Sequence, residues 1–176
     1  MITKLLPHLL LTALLTPGLS FAETRWNSEA LGLECTFPLY WKLEALPLQT
    51  DLAKGGTLVR AERTPGLPAG VRFELQLEPL TIKRSSQQKA SDELLSSLRQ
   101  TPQLQILKSN KTTVSENVIE IQVTWKIAQS RNTLESVYRI LDFNDRRLVA
   151  SVSGRVELVK GLTEELNQIW DSIRAD

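Results

Sequence analysis

Few residues of this chain are of a type that could do chemistry, and they are not grouped by any catalytic spacing. The chain holds one histidine, His8, and one cysteine, Cys35. His8 lies in an N-terminal leader that is expected to be removed, which leaves the body of the protein without an imidazole. A Ser-His-Asp triad, a Cys-His pair and His-containing zinc sites are thereby excluded. One cysteine cannot build a thiolate metal centre, and neither Gly-x-x-x-x-Gly-Lys-Ser/Thr nor Gly-x-Gly-x-x-Gly occurs to cradle a phosphate. A Ser-Lys dyad or a carboxylate pair would need only residue types that are plentiful here, but no signature groups them. Asp142-Phe143-Asn144-Asp145 offers oxygens to Ca²⁺ but lacks a spaced acidic loop, and its Asn and Asp read as a hairpin turn. No catalytic residue, cofactor or metal ligand is expected.

What remains is surface chemistry. Tyr40 and Trp41 are adjacent aromatics after a proline, and aromatics are enriched where proteins bind one another. They are the candidate protein-binding residues; in the opposing reading Trp41 plugs a sheet edge and Tyr40 caps it. The basic pairs Lys83-Arg84 and Arg146-Arg147 would make an anion or partner patch only if they converge, and separately each reads as a solvated strand end or turn. Cys35 alternates in phase with Leu33 and Phe37, which predicts a buried small hydrophobe; a reactive or partner-bridging thiol is the alternative. Trp125 and Trp170 lie on apolar stripes and are expected in the core.

The elements that must position these residues begin after the leader. Lys4 opens it, Leu5 to Leu15 is apolar, Thr16-Pro17-Gly18 breaks the run, and Ser20-Phe21-Ala22 puts small residues at −3 and −1 of a cut before Glu23. That order predicts a signal peptide over residues 1–22 and a periplasmic or secreted destination. The apolar stretch is shorter than the ~20 residues of a spanning helix, so no stable membrane insertion is expected after cleavage. Residues 23–30 read as a polar tether and 31–176 as one domain, large enough to bury roughly 68–70% of its unfolded surface. Basic and acidic residues number 21 and 20, and Lys4 is the one formal charge of the leader, so the body is balanced. Nucleic acid, which needs a basic surplus, is not an expected partner. A lone cysteine allows no internal disulfide, so packing must supply the stability.

Strands are predicted over Leu31 to Phe37, Lys42 to Leu46, Thr57 to Arg63 and Val71 to Leu77, with a turn at Pro38-Leu39-Tyr40-Trp41 and a loop from Thr64 to Gly70. The sharpest pattern is Ile119, Ile121, Val123, Trp125 and Ile127 at alternate positions, a strand with one wet face. Leu134 to Phe143 and Leu148 to Val152 follow after short turns and complete an antiparallel meander. A helix with Leu94, Leu95 and Leu98 is predicted to start at a Ser91 cap and run to Thr101-Pro102, and a terminal helix at Thr163 with Leu162, Leu166, Ile169, Trp170 and Ile173 on one stripe. The fold class is α+β, an antiparallel β-sheet packed with two main helices.

This order of elements resembles the Mog1/PsbP-like superfamily, including its periplasmic DcrB-type members. The resemblance rests on the strand entering Phe37-Pro38-Leu39-Tyr40-Trp41, the Ser91-Asp92-Glu93-Leu94-Leu95 helix, the meander, and a last helix ending in Trp170-Asp171-Ser172. It spans roughly Leu31 to Arg174, and the Thr64–Gly70 loop has no counterpart in it. It implies an α/β/α sandwich used for binding or assembly, with no catalytic residues to carry over. The expected function is a non-enzymatic periplasmic module that binds an envelope protein, in one version an immunity or accessory protein that blocks a toxin. The alternative is a carrier of an apolar small molecule. The oligomeric state is not legible.

Overall fold

The computed structural model describes residues 23–44, 46, 54–63, 70–79, 85–143 and 146–175. The leader, residues 64–69 of the Pro/Gly loop, Lys83-Arg84 and Asn144-Asp145 lie outside the described residues.

Two antiparallel sheets carry the fold among these residues. The larger takes the spatial order β3 (Trp41–Leu43), β4 (Gly56–Arg63), β5 (Arg72–Leu77), β9 (Arg146–Arg155), β8 (Thr133–Phe143), β7 (Val118–Ile127) and β6 (Leu104–Ser115). The smaller joins β1 (Thr24–Ser28), β2 (Leu33–Phe37) and β10 (Arg174–Ala175). The meander is present as predicted, with Ile119 opposite Ile140 and Ile140 opposite Val149. Ile119, Ile121 and Val123 are buried, Trp125 is half-buried with its indole donating to Ser136 Oγ at 2.9 Å, and Ile127 ends the stripe in solvent.

Period-two strands have two faces, and the large sheet covers them differently. Helix α1 (Gln87–Gln100) lies over β6 to β8, where Ala90, Leu95, Ile119, Ile121, Val123 and Ile140 form one core cluster. On the opposite face the small sheet, α2 (Val156–Gly161) and α3 (Thr163–Ser172) cover the rest. There Leu33, Cys35 and Phe37 meet Phe73, Leu75, Ala150, Val152, Ile169 and Trp170 in the second cluster. Phe37 sits edge-on to Phe73 at 5.2 Å between centroids, and Phe73 lies 5.5 Å from Trp170. The expected sandwich thus has helix on both sides of the main sheet, with a small sheet sharing one side.

Several local expectations are corrected. Residues 24–28 are a strand, not a tether: Trp26 pairs with Cys35, Asn27 with Glu34, and an Arg25–Glu34 ion pair bridges the two strands. One apolar residue in five hides such a strand, because its ladder is backbone. Helix α1 starts earlier than Ser91. Ser86 is the N-cap, its Oγ accepting from the Lys89 amide, while Ser91 is buried and donates to the Gln88 carbonyl at 2.6 Å. The opening Gln-Gln-Lys turn is polar and gives no hydrophobic signal. Thr163 does not cap by its side chain; its hydroxyl donates to the Lys160 carbonyl at 2.7 Å, tying α3 to the unanticipated α2. Strand β6 also went unseen. Its twelve residues are mostly exposed, and register shifts at Ile106/Lys108 and Thr113/Ser115 break the alternation.

Candidate functional site

The turn after β2 is the first place where sequence and structure diverge on function. Pro38 fixes the approach, and its carbonyl accepts from the Trp41 amide at 3.2 Å. Tyr40 takes φ 78°, a value that a turn of this kind usually assigns to glycine. The two candidate binding residues then part. Trp41 is 4% exposed inside the core, with its ring 6.3 Å from Phe37, so it is withdrawn from any contact surface. Tyr40 is 53% exposed.

Charged side chains lock this turn to α3. Trp41 Nε1 donates to Glu165 Oε2 at 2.8 Å. Arg63, at the end of β4, donates to both Glu165 oxygens, Nε at 2.8 Å and Nη2 at 2.9 Å. Its guanidinium carbon also lies 4.8 Å from the Tyr40 ring centroid. An aromatic at the turn tip, a buried guanidinium beneath it and a helix carboxylate behind form one unit.

Cys35 is fully buried and faces inward with Leu33 and Phe37. Burial pushes its thiol up to about 12, against a smaller lowering from Ser172. Ser172 Oγ accepts from the Thr36 amide at 2.8 Å and so pins the end of α3 to β2.

The remaining sequence candidates are structural. Arg147 is 2% exposed rather than solvated: it donates to both Asp142 oxygens, at 2.5 and 2.9 Å, and to the Ser85 carbonyl at 2.9 Å. Asp142 is therefore committed to an arginine and is not a free calcium ligand. Arg146 turns the other way, donating to the Leu31 carbonyl, so the pair forms no common patch. No group of three His, Cys, Asp or Glu side chains among the described residues could hold a metal ion. No helix among them is long and apolar enough to cross a membrane.

Two features escaped the sequence reading. A groove of about 500 Å³ runs between α1 and the sheet, lined by Leu94, Ile140 and Val149 and flanked by Lys89, Glu93 and Arg147. On the opposite face Glu135 is buried within β8 and lines two polar grooves beside α2. Strand β8 is covered on both sides, so its sequence carries no alternation that would mark Glu135 as inward.

No protein-family model and no curated protein matches the chain. Solved structures do. The chain is similar to the cyanobacterial PsbP protein (CyanoP) of Synechocystis sp. PCC 6803, with a TM-score of 0.57 and 7% identity over 94% of this chain and 99% of that one. It is also similar to LpqN of Mycobacterium tuberculosis, described as involved in cell envelope biogenesis, with a TM-score of 0.51 and 14% identity over 88% of this chain and 90% of that one. With the strand order, the two-sided cover and the helix positions already in place, these likenesses establish that the chain has the Mog1/PsbP-like fold.

Proposed function

We propose that this protein is an exported, non-enzymatic domain that binds another protein of the cell envelope through the Pro38–Trp41 turn. The carrying observation is Tyr40. A non-glycine residue at φ 78° costs of order 1–2 kcal/mol, and here that strain holds an exposed aromatic ring at the tip of a braced turn. A rigid aromatic on a preorganised support is the chemistry of an interface anchor. The leader sequence supports export, and the description of LpqN as involved in cell envelope biogenesis is consistent with an accessory role in the envelope.

The test is affinity capture from periplasmic extract with the wild-type protein, Tyr40→Ala, and Lys126→Ala as a distant surface control. One partner should be retained by wild type and Lys126→Ala and lost with Tyr40→Ala. Equal capture by all three, or turnover of a substrate by the purified protein, would overturn the reading. The groove beneath α1 favours the carrier alternative, since Leu94, Ile140 and Val149 offer an apolar wall in a volume suited to a small ligand. Native mass spectrometry of gently purified protein separates the two: a co-purified ligand mass supports the carrier.

A further inference from the structure

We propose that Glu135 is the floor of a binding cleft for a primary ammonium or guanidinium group. This inference stands apart from the Tyr40 reading and concerns β8, four strands away from β3 in the large sheet.

Glu135 lies on β8, opposite Thr124 of β7 and Gly154 of β9. Its side chain is 2% exposed. Oε1 accepts from Gln122 Nε2, while Oε2 is buried with no hydrogen-bond partner among the described residues. An ionised carboxylate has about four acceptor positions, and burying it with one neutral donor is costly unless a cation completes the set. The arginine that lines a groove with Glu135 is already taken: Arg139 donates to Glu120 at 2.8 Å and stacks 5.0 Å from the Trp170 ring centroid.

Two open grooves share Glu135 in their walls. One, of about 330 Å³, passes Lys108, Asn110, Thr124 and Glu157; the other, of about 200 Å³, passes Val137, Leu166, Asn167 and Trp170. Gln122, Glu135 and Lys160 line both. The chemistry selects the occupant. Glu120 is paired with Arg139, and Lys108 and Lys160 offset the other acids of the rims, so the buried Glu135 carboxylate itself makes the selection and repels an anion. A neutral acceptor would leave Oε2 unsatisfied. A cation rich in N–H groups satisfies it, and Val137, Val159 and Leu166 give a short alkyl stem an apolar wall. Lys160 is exposed on α2, so its ammonium can move off the rim as the ligand enters.

The test is an NMR titration of the protein with n-butylammonium and n-butylguanidinium, and with tetramethylammonium as a cation that has no N–H. Both N–H cations should shift the Gln122, Glu135 and Lys160 resonances saturably, and tetramethylammonium should not. Glu135→Gln should weaken binding at least tenfold, and Lys160→Ala, on an exposed helix position, should tighten it severalfold. Acetyl-Gly-Arg-Gly-amide and spermidine then separate the sources: tighter binding of the peptide assigns the site to a protein side chain, and tighter binding of spermidine to a free amine. Equal shifts with tetramethylammonium, or unchanged affinity in a folded Glu135→Gln, would overturn the proposal. So would binding seen only in Lys160→Ala, since Lys160 would then be the carboxylate's own partner.

Discussion

Arg63 and Glu165 close a two-bond clamp across 102 residues, joining the last position of β4 to the first turn of α3. The same carboxylate takes the Trp41 indole N–H, so one glutamate holds a strand end, a turn and a helix together. Arg63 is buried and Glu165 only partly so, which makes the loss of either partner unequal in kind. Glu165→Ala removes the carboxylate that a buried guanidinium and an indole N–H share and should cost about 2–4 kcal/mol. Arg63→Ala leaves a carboxylate that water can still reach and should cost less. Denaturant unfolding of both singles and the double should give a coupling energy of about 0.5–3 kcal/mol. Additivity of the two would show that the clamp contributes no pairwise stability.

Gly154 and Gly161 should respond oppositely to alanine. A Cβ on Gly154 would lie 2.8 Å from the Gly70 carbonyl oxygen, 2.9 Å from Val71 Cγ2 and 3.3 Å from Val159 Cγ2. Backbone cannot yield there cheaply, so Gly154→Ala is expected to destabilise by about 1–3 kcal/mol. Gly161 ends α2 with nothing within 4 Å of its would-be Cβ, and Gly161→Ala should stabilise by about 0.4–1 kcal/mol. Melting temperatures of the two variants check both signs.

Cys35 should be inert in the native state. With its thiol pushed up to about 12 by burial, no appreciable thiolate forms at pH 8, and iodoacetamide labelling should proceed only after unfolding. The same shift sets an alkaline limit. The unfolded thiol ionises near its ordinary value of 9.0 and the folded one at about 12, so its contribution is whole below pH 9 and is lost between pH 9 and about 12. Within that window stability should fall by about 1.4 kcal/mol per pH unit from this group alone. Burial raises Tyr138 in the same direction, so Cys35→Ala should flatten the alkaline decline without abolishing it. An identical pH profile for the variant would contradict this account.

Asp142 and Arg147 test whether a buried pair stabilises or merely satisfies itself. The Asp142 hydrogen bonds, ahead of the opposing burial, hold Arg147 firmly charged. Asp142→Ala should cost about 3 kcal/mol by leaving that charge without its main partner, whereas Asp142→Leu with Arg147→Met should cost less than the single change. Chemical denaturation of the two variants decides, and the reverse order would show that the pair itself supplies net stability.

What could be read in the sequence was whatever a periodic apolar pattern writes there. Strand β7 announces itself through Ile119, Ile121 and Val123, because one face is buried and the other wet. Strand β6, its neighbour along the whole length, is silent because its packing is slight and its bulges shift the phase. Strand β1 is silent because it is held by backbone pairing to β2 around a single tryptophan. Trp41 shows why the candidate site was only half legible. Neighbouring aromatics look alike in sequence, and a positive φ at Tyr40 sends one outward and the other into the core. Arg147 and Glu135 were unreadable for a related reason, since a charged residue is buried only when its surroundings make room, and those surroundings come from distant strands and helices.

The bulges of β6 have a use beyond hiding the strand. At the rim of the seven-stranded sheet, twelve residues of peptide backbone would otherwise offer a straight template for pairing with a second molecule. Kinks at two points and the exposed Lys108 spoil that template, while the opposite rim, β3, is three residues long. Among the described strands, the two rims of the large sheet are thereby poor templates for edge-to-edge pairing with another chain.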